Sequence, residues 1–126
     1  MKKLIILTLT ILFIISCTTT TTEINENLNP AELFQFAQEA SNNKNYDLAI
    51  QYYNLFIDKY SDDTQKLVEA EYEIAFITFK QGYSDRAKEL LVKLLERYNG
   101  EGAQVLPAWP LILSKNLLIE IDEESL

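Results

Sequence analysis

From Asn29 onwards apolar residues recur every three or four positions, in blocks separated by short polar punctuation. That spacing predicts helices, and no segment alternates over a useful length as a strand would. Asn29-Pro30-Ala31-Glu32 reads as a start signal, with Asn able to cap, Pro suited to the first helical position and Glu three residues after the cap. Leu33, Phe36, Ala37 and Ala40 continue the first stripe. Asn45 can cap a second helix bearing Leu48, Ala49, Tyr52, Tyr53, Phe56 and Tyr60. A third helix is predicted over about 64–80 and closed by Gly82. A fourth, capped by Ser84, carries Ala87, Leu90, Leu91, Leu94, Leu95 and Tyr98. Asn99, Gly100 and Gly102 should end it. A last helix starting near Pro107 or Pro110 would present Leu111, Ile112, Leu117, Leu118 and Ile121, before an acidic tail at 122–126 that should fray.

Upstream the pattern differs. Lys2 and Lys3 precede an apolar run at 4–15 that only Thr8 and Thr10 interrupt. The run is short of the roughly 20 residues a spanning helix needs, and it has the length of a signal-peptide core. It ends in Ile14-Ile15-Ser16-Cys17, which resembles the bacterial lipobox. The resemblance implies a signal peptide at 1–16 and cleavage before Cys17. It further implies a diacylglyceryl thioether and a fatty-acyl chain such as palmitate on that residue. One acyl chain holds only marginally, whereas two or three on one residue anchor stably. The stretch 17–29, with its run of five threonines at 18–22, then reads as a flexible tether. Thr18 after the cysteine resembles the pattern directed to the outer membrane.

The body repeats. A shift of 38 residues lays Phe34 on Tyr72, Phe36 on Ile74 and Ala37 on Ala75. The same shift lays Ala49 on Ala87, Tyr53 on Leu91, Phe56 on Leu94 and Tyr60 on Tyr98. Small positions fall on small and bulky on bulky, in both helices of each pair. These pairs resemble the tetratricopeptide repeat, whose period is about 34 residues. The surplus is expected in the connection at 61–66. The family's usual first-helix tryptophan is Leu33 or Glu71 here, and its terminal proline is Ser61 or Asn99. The expected fold is therefore all-α: a helical domain at 30–121 built as a short α-solenoid of two hairpins and a closing helix. With the lipobox, the tether and the string Tyr46-Asp47-Leu48-Ala49-Ile50, Tyr53, Phe56-Ile57, Tyr60-Ser61, the chain is similar to the BamD-like lipoproteins of outer-membrane β-barrel assembly.

Composition narrows the function. Net charge is −8, and without Lys2 and Lys3 the remainder has 9 basic against 19 acidic residues. Such a chain repels phosphate backbones and anionic lipid, so nucleic acid is not an expected partner and membrane attachment falls to the lipid. One cysteine and no histidine exclude an internal disulfide, Cys/His zinc sites and histidine-based catalysis. Glu69, Glu71 and Glu73, spaced by two, scatter around a helix instead of converging. No catalytic residue, metal or cofactor is expected beyond the lipid on Cys17.

The resemblance implies that first helices line a concave surface. Phe34, Gln38 and Ser41 would face it from the first repeat, and Tyr72, Phe76 and Phe79 from the second, with Glu69 and Glu73 beside them. Two outcomes stand open: an aromatic groove that takes a protein segment, or rings covered by the last helix through Trp109 and Leu113. The implied role is a lipid-anchored periplasmic scaffold, accessory to barrel assembly. Its alternatives are an adaptor in envelope maintenance or division, and a surface lipoprotein binding ligands.

Overall fold

The computed structural model describes residues 24–25 and 27–125; the expected signal peptide, Cys17 and the threonine run lie outside them. The described residues form five α-helices: α1 Pro30–Asn42, α2 Tyr46–Tyr60, α3 Thr64–Lys80, α4 Ser84–Arg97 and α5 Ala108–Glu124. A short 3-10 turn, Ala103–Val105, leads into α5, and no strand occurs among the described residues. Consecutive helices pack as antiparallel neighbours, and α5 lies against both α3 and α4.

Local chemistry fixes the start of α1. Asn29 Oδ1 accepts from Glu32 N at 3.0 Å, while the Glu32 carboxylate accepts from Asn29 N at 2.9 Å. This reciprocal box satisfies two of the helix's free N–H donors. Leu28, just before the cap, packs on the first core, and its carbonyl accepts from Tyr60 Oη at 3.1 Å. The expected tether to residue 29 is therefore already tied down at its end.

The two hairpin turns are copies. Asn43 N donates to Glu39 O, Lys44 N to Ser41 O, and Asn45 N to Ala40 O. Thirty-eight positions later Gln81 N donates to Ile77 O, Gly82 N to Phe79 O, and Tyr83 N to Thr78 O. Each turn is a Schellman closure, and each needs a left-handed residue just past the helix: Lys44 at φ 59° and Gly82 at φ 87°. The closure also corrects two expected caps. Asn45 stands at the cap of α2, but its side chain makes no capping bond. Tyr83, not Ser84, caps α4, because the closure ends there and Ser84 is already helical.

The surplus of the 38-residue spacing over about 34 sits in a helix, not in the connection at 61–66. Helix α3 has 17 residues against 13 in α1. Thr64 to Lys66 form its first turn, and Asp63 Oδ1 accepts from Lys66 N at 3.1 Å.

Two adjacent apolar clusters make up the interior, and α3 is the wall between them. Leu33, Ala37, Ala40, Ala49, Tyr53 and Phe56 form the first with Ala70 and Ile77 of α3. Val68, Tyr72 and Ala75 of α3 join Ala87, Leu91, Leu94, Leu117 and Ile121 in the second. The paired alanines Ala37, Ala49, Ala75 and Ala87 have no exposed surface, as does Leu91, so the helix backbones approach closely there. Glu71, standing where the repeat's first-helix tryptophan would be, bonds instead across its hairpin. Arg97 Nε and a second guanidinium nitrogen each reach its carboxylate at 2.7 Å.

Helix α5 buries Pro110, Ser114, Leu117 and Ile121, a stripe spaced by four, three and four. Ile112 was expected on that stripe but points away, 54% exposed, with Ile119 at 58%. At 100° per residue both lie opposite the stripe's centre. Helix α5 takes in the acidic end as far as Glu124, and Asp122 pairs with Lys88 at 2.5 Å.

Candidate partner-binding groove

The concave side is open in one half and closed in the other. Between α1 and α3 lies a cleft of about 450 Å³ whose walls include Phe34, Gln35, Gln38, Lys66 and Glu69. Phe34 is half-buried, with its ring edge-to-face against Phe56 at 4.8 Å and Tyr53 at 5.3 Å. Those two core rings hold it, and its remaining surface lines the cleft. Gln38 is exposed and Ser41 half-buried on the same side of α1.

The second repeat differs. Tyr72 is only 7% exposed, edge-to-face with Trp109 of α5 at 5.5 Å and stacked on Phe76 at 6.1 Å. Tyr72 is thus a core residue and not a groove residue. The physical reason is α5, which covers this repeat as a third first-helix would. Phe76 and Phe79 are half-buried against the same cluster. Trp109 makes the ring contact with Tyr72, while it and Leu113 stay 37% and 40% exposed.

A stripe of four charged residues, Lys66, Glu69, Glu73 and Lys80, runs along α3 with Phe76 among them, in steps of three and four that share one face. Lys66 Nζ is 2.5 Å from Glu69 Oε2 and 5.3 Å from the centre of the Phe34 ring. Lys80 Nζ sits 5.9 Å over Phe76. Glu73 is half-buried and has no ion pair among the described residues. Burial, with Glu69 nearby, lifts its carboxyl above the usual range. Tyr53 Oη is buried without a hydrogen-bond partner. Burial first, then the charges of Glu73 and Glu69, raise the pKa of that phenol. Tyr72 is raised likewise by burial, Glu73 and Glu120.

Two of the three glutamates of α3 have separate partners, Glu69 in Lys66 and Glu71 in Arg97. Sequence reasoning missed Lys66 as a groove residue, although its three-residue step to Glu69 was there to read. The repeat-packing residues Tyr53, Phe56 and Leu94 are buried beside their alanines. No helix among the described residues is long and apolar enough to cross a membrane.

No protein-family model matches the chain. No solved structure matches it significantly. It is similar to a protein of Treponema pallidum (strain Nichols) named only as uncharacterized, with 31% identity over 99 residues. The matched part is 77% of this chain and 40% of that relative, so the chain spans well under half the relative's length.

Proposed function

We propose that this chain is a lipid-anchored scaffold on the periplasmic face of the outer membrane, an accessory subunit of β-barrel assembly that holds a polypeptide segment. The reading rests on one observation above the rest: two helix pairs, alike at a spacing of 38 residues, leave a cleft walled in part by Phe34 open between their first helices. Such a cleft suits an apolar anchor residue on an extended or helical segment. The acidic surface supplies no attraction to anionic lipid, so the acyl chains on Cys17 are the means of attachment.

Affinity purification of the full chain from detergent-solubilised membranes tests the reading. Co-purification of the central barrel protein is the expected result. Recovery of other envelope proteins without it would move the chain to an envelope-maintenance role. Digestion by protease added to intact cells would place it on the surface instead.

A further inference from the structure

The large apolar side chains left in water lie at one end of the row of helices. Among the described residues α1, α2 and α3 expose none, whereas Trp109, Ile112, Leu113 and Ile119 of α5 are between 37% and 58% exposed. Their spacing is that of a heptad. With Trp109 in the first position, Ile112 takes the fourth, Asn116 the next first and Ile119 the next fourth. Lys115 and Glu120 flank this seam on its two sides, and the charge of Glu123, at the following first position, ends it. The residues that α5 buries on its own domain, Pro110, Ser114, Leu117 and Ile121, take the second and sixth positions on the opposite face. One helix thus carries two contact faces, and the fold of a single chain fills only one. The four apolar side chains of the open face leave on the order of 400 Å² in water, the size of patch that marks an interaction site.

We propose that this face seats α5 of a second copy, the two helices running parallel and in register about a twofold axis along the seam. The flanking charges select both partner and direction. Lys115 and Glu120 are exposed, and neither has an ion pair among the described residues. Five residues apart, they do not meet on one helix, where pairs form at three and four. In a parallel pair in register, five is the offset that joins the flanking positions of the two helices, so Lys115 of each copy meets Glu120 of the other. An antiparallel pair would set Lys115 against Lys115 and Glu120 against Glu120. Asn116 agrees with the same register: its amide meets the same amide of the second copy, and any slip would bury it against apolar groups. Because α5 is already folded on its domain, pairing carries no helix-nucleation cost. At physiological salt the −8 charge of each copy is screened beyond about 8 Å, which leaves the contacts at the seam to decide. Seam and flanks bury on the order of 1,000 Å² over both copies, the low end for a specific interface. The surface is separate from the cleft, which opens between α1 and α3.

Sedimentation equilibrium of the full chain in a density-matched detergent tests the pairing. The parent should show a monomer–dimer equilibrium with a Kd on the order of 10 μM, as suits an interface of this size. Lys115→Glu and Glu120→Lys should each weaken it about tenfold, since each turns two attractive contacts into repulsive ones. The double exchange, Lys115→Glu with Glu120→Lys, should restore the parent value, which an antiparallel pair would not do. Ile112→Lys puts a charge in the middle of the seam and should leave only monomer. All three positions are exposed, and unchanged helix content by circular dichroism shows that each variant keeps the fold. A parent chain that stays monomeric at ten times the expected Kd overturns the proposal. So does a dimer that survives Ile112→Lys, because chance sharing of a micelle through the acyl chains would survive it too. Failure of the double exchange to recover what the single ones lose overturns the parallel register.

Discussion

Lys44 and Gly82 occupy the same place in the two hairpins, and only one of them suits it. A left-handed backbone costs a residue with a Cβ about 1–2 kcal/mol, part of which glycine returns through its freer unfolded state. Lys44→Gly should therefore stabilise the chain by about 0.5–1 kcal/mol, read as a rise of several degrees in the thermal midpoint. No change, or a fall, would mean that Lys44 does not sit at φ 59° in solution. Gly82 announced a helix end in the sequence, because glycine there has a mechanism; lysine at 44 gave no such signal, so the identity of the two turns was invisible. Glu73 offers a test in pH. Its carboxyl is raised by burial and by Glu69, so the folded state holds the proton more tightly than the unfolded chain. The penalty is absent below the unfolded value and grows as pH rises through the folded one. Glu73→Gln should match the parent in acid and exceed it in stability near pH 7, in denaturant titrations at the two pH values. A gap that is constant with pH would show that Glu73 is not shielded.

Helices declare their inward faces with unequal clarity. In α4 the polar and apolar positions separate, and Ala87, Leu91 and Leu94 were legible as the buried side. Helix α5 is apolar around most of its circumference, so periodicity could not say which stripe turns in, and Ile112 was placed wrongly. Ile112→Lys should accordingly change stability by no more than about 0.5 kcal/mol, whereas Leu117→Ala should lose about 2–4 kcal/mol through transfer and cavity terms. The reverse ranking in chemical denaturation would mean that α5 is rotated on its axis. Tyr72 failed as a groove residue for a related reason. Nothing in residues 64–80 records that a later helix will bring Trp109 onto Tyr72. Covering is a tertiary event, and the spacing of Tyr72, Phe76 and Phe79 is the same whether they are covered or open.

At the scale of the molecule, stability should divide along α3. The first cluster draws on α1, α2 and one face of α3, and the second on another face of α3 with α4 and α5. In such a row each unit is held by its neighbours, so damage spreads through the shared helix and weakens with distance. Phe56 is fully buried in the first cluster and touches no residue of the second among its ring contacts. Phe56→Ala should remove about 3–5 kcal/mol from the first hairpin. Amide hydrogen exchange followed by mass spectrometry would then show protection lost across α1 and α2, reduced in α3, and largely kept in α4 and α5. The open cleft belongs to the less protected side, between α1 and α3, where a bound segment would add the contacts that α5 supplies to the second repeat. A peptide that occupies it should restore protection to α1 before any other helix. Uniform loss of protection in the variant, with uniform recovery on binding, would show a single cooperative core and remove the argument that one repeat is left open for a partner.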